Sequence, residues 1–97
     1  MNKNTGRPRQ YELYEAILTL ETVEECVKLF DDLLSVTELR AMEQRYEVAR
    51  LLHQGRVYNE ILEETGASSA TISRVNRSLH YGASGYEIVF GRLDKQP

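Results

Sequence analysis

Residues 58–79, YNEILEETGASSATISRVNRSL, constrain this chain more tightly than any other stretch. The first half carries Ile61 and Leu62 and ends in Thr65-Gly66. The second half opens on Ser68-Ser69 and places Ile72, Val75 and Leu79 at helical spacing. Two short amphipathic helices around a glycine turn make a helix-turn-helix, whose second helix commonly enters a DNA major groove. Glycine suits the point where the first helix stops, because a left-handed residue there disfavours a side chain. Ser68 or Ser69 can cap the second helix by accepting a hydrogen bond from one of its orphan N–H groups. Ile72, Val75 and Leu79 are expected to turn inward. That leaves Ser69, Thr71, Ser73, Arg74, Arg77 and Ser78 on the outside.

Charge supports the same reading. No acidic residue occurs from Ala67 to Tyr86, while Arg74 and Arg77 stand three apart on one face. A surface that meets phosphate must be free of carboxylates, because repulsion opposes the gain from counterion release. The net charge of −3 hides an asymmetry: residues 1–10 carry +3, residues 11–47 carry −7, and residues 48–97 carry +1. An acidic body with a basic reading end suits a protein that draws affinity from a few phosphates. It also suits a protein whose acidic faces merely keep it in solution.

Residues 1–10, MNKNTGRPRQ, are polar, basic and broken by Pro8, and are expected to form a disordered arm. The domain is expected over residues 11–94, with the helix-turn-helix at 57–80. Leu13, Ile17 and Leu20 put a short helix over 11–20. Thr22 with Glu25, Ser35 with Glu38, and Ser84 with Glu87 each match a capping box, and so each opens a helix. The helix after Ser35 is the longest, running to about Gln54 with Leu39, Met42, Tyr46, Ala49 and Leu52 on one stripe, broadened by Val48 and Leu51. His80-Tyr81-Gly82 is expected to break the reading helix, and a last helix carries Ile88, Val89, Phe90 and Leu93. No alternating segment of useful length occurs, so the fold class is all-α with six helices. Ninety-seven residues bury only a small core, and the apolar surface on the first three helices calls for a second copy of the chain.

The order of helices resembles the tryptophan-repressor-like family, most closely its YerC/YecD group of small bacterial proteins. LLSVTELRAMEQRYEVARLLHQG resembles the family's long central helix, and ILEETGASSATISRVNRSL its reading motif. The likeness runs from about Tyr11 to Leu93. It implies an intertwined homodimer with a two-fold operator in double-stranded DNA, its half-sites about one turn apart. It would place Ser69, Ala70, Thr71 and Ser73 at the groove, with Arg77 and His80 near the backbone; Arg74 is itself a candidate DNA-binding residue, as a phosphate contact. Tyr58, Asn59 and Leu62 stand where the repressor has polar or basic contacts, so no DNA register carries over.

The same resemblance outlines an effector pocket from Arg45, Arg74, Ser35 and Ser78, since two arginines suit the carboxylate and ring of an amino acid such as tryptophan. Val75 opposes it, standing where the repressor has glycine and intruding on the pocket floor. The expectation is therefore a regulator without a cofactor.

Other function classes have less support. His53 and His80 fall in different helices, and no HExxH, CxxC or glycine-rich phosphate loop occurs, so no enzyme is expected. Cys26 stands alone, which excludes an intrachain disulfide and fits a reducing cytoplasm. It is expected to be a small buried hydrophobe. No apolar run approaches a membrane span. The alternative to DNA binding is a helix-turn-helix reused as a protein-docking module.

Overall fold

The computed structural model describes residues 10–96; the expected N-terminal arm, Gln10 apart, lies outside them. Among the described residues there are six helices and no strand. They are α1 Tyr11–Ile17, α2 Val23–Leu33, α3 Val36–His53, α4 Tyr58–Thr65, α5 Ser69–Tyr81 and α6 Gly85–Leu93. The chain divides into two compact units, Met1–Val36 and Thr37–Pro97.

In the first unit α1 is shorter than its apolar spacing suggests. It stops at Ile17, and the chain tapers through the bonds Thr19 N–H to Ala16 O and Leu20 N–H to Ile17 O, each 3.1 Å. The capping box that opens α2 is present in a shifted form. Thr22 is extended, and its hydroxyl accepts the Glu25 N–H at 3.1 Å. Glu25 returns its carboxylate to the N–H of Glu21 at 2.8 Å, one residue before the cap. No residue of α1 or α2 is buried. Val23 is 75% and Val27 52% exposed, and Cys26 is half-buried rather than enclosed.

The second unit holds the core. Val48, Ala49 and Leu51 of α3 pack in one cluster with Ile61 of α4, Ala67 of the turn, Ile72 and Val75 of α5, and Phe90 of α6. Burying each of the larger aliphatic side chains contributes about 1.5–3 kcal/mol, so the four largest enclosed ones, Leu51, Ile61, Ile72 and Val48, fix three helices together. The inward side of α3 differs from the expected stripe. Val48 and Leu51, expected only to widen it, are enclosed with Ala49, while Tyr46 stays exposed. A helix with apolar residues on several sides leaves the choice of inward side to its neighbours.

α6 departs from expectation at its start. Ser84 is left-handed, with φ 74°, and its side chain caps nothing, so the third capping box does not form. That box needs an extended cap residue, and the chain arriving from Gly82 and Ala83 gives Ser84 the opposite backbone. α5, for its part, continues through His80 and Tyr81 and ends only at Gly82. A Cβ at Gly82 would lie 2.3 Å from the Ser78 carbonyl oxygen, which explains why the helix stops on glycine.

Candidate nucleic-acid interface

Local bonding shapes the turn between α4 and α5. Gly66 is left-handed, with φ 71°, and space around its Cα is open, so backbone conformation alone selects glycine. The Thr65 hydroxyl donates to the Ile61 carbonyl at 2.7 Å and accepts the Ala67 N–H at 3.1 Å. Ala67 is buried and plugs the turn against the core. Ser68, not Ser69, caps α5. It is extended, and its hydroxyl accepts the Thr71 N–H at 3.1 Å. Gln44 of α3 adds a bond across the fold, its Nε2 donating to the Thr65 carbonyl at 3.1 Å. Nothing in the local sequence announces that last contact.

With Ile72 and Val75 enclosed and Leu79 packed against the core, the outer side of α5 follows from helical periodicity. Ser69, Ser73 and Arg77 form one row, Ala70 and Arg74 a second, and Ser78 and His80 continue them; all seven are exposed. Thr71 lies at the edge of this face and is half-buried. His80 Nδ1 sits 2.9 Å from the Asn76 carbonyl. A carbonyl only accepts, so Nδ1 carries a proton and Nε2 faces outward.

Electrostatics divide the arginines of this unit. Arg50 is spent on Glu47 at 2.6 Å. Arg56 binds two carboxylates of α4, Glu60 at 3.0 Å and Glu64 at 2.7 Å. Those partners push both guanidinium groups above the usual arginine range, and Arg50 holds the Glu47 carboxyl below the usual carboxylate range. Among the described residues no ion pair engages Arg74 or Arg77. The two cations on the acid-free helix are thus available, while Arg50 and Arg56 are consumed by acidic neighbours.

The resemblance names Ser35, Arg45, Arg74 and Ser78 for an effector pocket. Ser78 lines an open cavity of about 420 Å³ with Tyr46, Gly82, Ala83, Gly85, Tyr86 and Val89. Neither Arg45 nor Arg74 is among its lining residues; both are exposed, Arg45 on α3. Ser35 is exposed in the first unit. Val75 is in the core. Among the described residues no three His, Cys, Asp or Glu side chains are grouped to hold a metal ion, and no helix is long and apolar enough to cross a membrane.

The family model described as Trp repressor protein matches residues 10–94. The uncharacterized protein YerC of Bacillus subtilis (strain 168) is 49% identical over 82 residues, which cover 84% of this chain and 79% of that one. A TrpR-like protein from Eubacterium eligens ATCC 27750, known by crystal structure, superposes with a TM-score of 0.83 at 47% identity, covering 90% of each chain. The crystal structure of a candidate Trp repressor from Staphylococcus aureus gives 0.82 at 48% identity, covering 89% of this chain and 86% of that one. On a match that spans the central helix and the whole turn-bearing pair, the chain belongs to the Trp repressor family of helix-turn-helix regulators.

Proposed function

We propose that the protein is a sequence-specific DNA-binding repressor of transcription that acts as a homodimer on a palindromic operator. The observation that carries this reading is the outer face of α5: an acid-free row of short donors with two uncommitted guanidinium groups, Arg74 and Arg77, on a helix locked to its scaffold by Ile72 and Val75. Short donors such as Ser69, Ser73 and Thr71 read base edges, Ala70 meets a thymine methyl, and Arg74, Arg77 and His80 hold phosphates. Two such helices occupying successive major grooves keep polymerase off a promoter by bulk.

The dimer reading is supported by α1 and α2. Their stripe of Leu13, Val23, Val27 and Leu33 is exposed in the single chain, and an apolar surface of that extent asks for a partner. Sedimentation of the full chain at micromolar concentration tests it, with a mass near twice 11.2 kDa expected. The protein acts in the cytoplasm and without a tryptophan corepressor, because Val75 fills the core from the position where the pocket would need space. Unchanged melting at millimolar tryptophan is the expected result, since a ligand that binds only the native state raises it.

The decisive test is a titration with operator DNA, recovered by selection from genomic fragments, alongside random duplex of equal length. Arg77→Ala is expected to weaken both and to reduce the salt slope by about one. Equal wild-type affinity for the two duplexes at every salt concentration would sink the reading. Absence of any binding would leave the helix pair as a protein-docking surface.

A further inference from the structure

We infer that Gln44 is a positioning residue for DNA reading, a latch from the central helix onto the turn that aims the reading helix. The inference rests on the DNA-binding function proposed above. Its starting point is the end of α4. The last carbonyls of a helix lack partners within it, and Gly66 has already turned the chain away. The Gly66 N–H bonds to Leu62 O at 3.0 Å, and the Thr65 hydroxyl takes Ile61 O, so the Thr65 carbonyl is left to a donor from elsewhere. Gln44, 21 residues earlier on α3, supplies it at 3.1 Å in a part-buried setting.

That bond acts at the one place where the direction of α5 is decided. Between Thr65 and the Ser68 cap lie only Gly66 and Ala67. Gly66 carries no side chain to limit its torsions, and Ala67 N–H is tied to the same Thr65 whose carbonyl Gln44 holds. Hydrophobic packing by Ile61, Ala67 and Ile72 is non-directional and tolerates small rotations. A hydrogen bond to a fixed carbonyl lone pair does not. The core therefore keeps α4 and α5 together, and Gln44 selects the angle between them. Losing the donor leaves the helix pair folded but spread over several orientations, and the apparent affinity falls with the fraction that is competent. Phosphate contacts made by mobile arginine stems tolerate that spread; base-edge contacts from short serines do not. The specific-to-random ratio is what Gln44 protects.

The test uses the full chain, the selected operator duplex and a random duplex of equal length. Gln44→Met keeps volume and removes the donor, whereas Gln44→Lys restores a donor and adds a charge that raises both affinities alike. The methionine variant is expected to lose about fivefold in the operator-to-random ratio, with an unchanged salt slope and faster hydrogen exchange at the Ala67 amide. The lysine variant is expected to recover the ratio and the slow exchange. A methionine variant with wild-type ratio and wild-type Ala67 exchange overturns the latch. So does an equal loss of ratio in both variants together with lowered melting temperature, which marks Gln44 as a packing residue only. A wild-type protein that does not discriminate the two duplexes removes the DNA reading itself, and Ala67 exchange, read without DNA, separates that outcome from failure of the latch.

Discussion

The imidazole of His53 on α3 lies flat against the ring of Phe90 on α6, centroids 4.6 Å apart and planes 20° from parallel. Its Nε2 reaches Asp94 Oδ2 at 3.0 Å. Tyr46 and Tyr86 complete the surround of Phe90, at 5.7 and 5.9 Å. One buried ring thus carries α6 on the end of the central helix, with an exposed polar contact beside it.

Removing that ring is expected to release α6. Phe90→Ala should cost about 3–5 kcal/mol, read by urea unfolding, and His53→Ala far less, because its bond to Asp94 is exposed and such pairs are worth little. Equal costs for the two substitutions would mean that the His53 side chain holds the helix as much as the Phe90 ring does.

The turn glycines separate two physical reasons for the same residue. Gly66→Ala meets open space and pays only for its left-handed backbone, about 1 kcal/mol. Gly82→Ala is not left-handed but would drive Cβ into the Ser78 carbonyl, so the end of α5 must shift. Gly82→Ala is expected to lower the melting temperature more than Gly66→Ala. The reverse order would place the glycine requirement in conformation alone.

Two serines at helix starts are expected to behave oppositely. Ser68→Ala removes the acceptor of the Thr71 N–H and should cost about 1 kcal/mol. Ser84→Ala removes a hydroxyl that caps nothing and should leave stability within about 0.5 kcal/mol of wild type. Denaturant midpoints of the two variants decide the matter.

The Glu47–Arg50 pair predicts a pH signature. The Arg50 hydrogen bond lowers the Glu47 carboxyl, so the pair's small contribution is present above the ordinary carboxylate range and is lost as pH falls through the lowered value. Arg50→Gln should move the Glu47 titration, followed by carbon NMR, upward toward that ordinary range. An unmoved titration would show that the pair does not persist in solution.

What could be read in advance was whatever is encoded over three or four neighbouring residues. Gly66, Ser68 and Thr22 announce themselves because a left-handed stop or a side-chain cap needs only its immediate neighbours. The inward set Ile72, Val75 and Leu79 follows from periodicity on a helix with one apolar side. Ser84 matched the same local pattern as Thr22 and still did not cap, because the chain leaving Gly82 sets its backbone. α3 misled for a related reason: with apolar residues on several sides, Tyr46 and Val48 were equally eligible for the interior, and α4, α5 and α6 made the choice. Gln44 was silent altogether, since its partner lies 21 positions away and its neighbours read as an ordinary polar helix face.

The unburied state of α1 and α2 has a thermodynamic corollary. Helices of 7 and 11 residues are marginal by themselves, and in a lone chain no residue of either is fully buried. In the dimer proposed above, their order is borrowed from association and subject to mass action. Dilution should therefore loosen the amides of residues 23–33 long before it touches those around Leu51, giving a molecule whose reading end outlives its own scaffold.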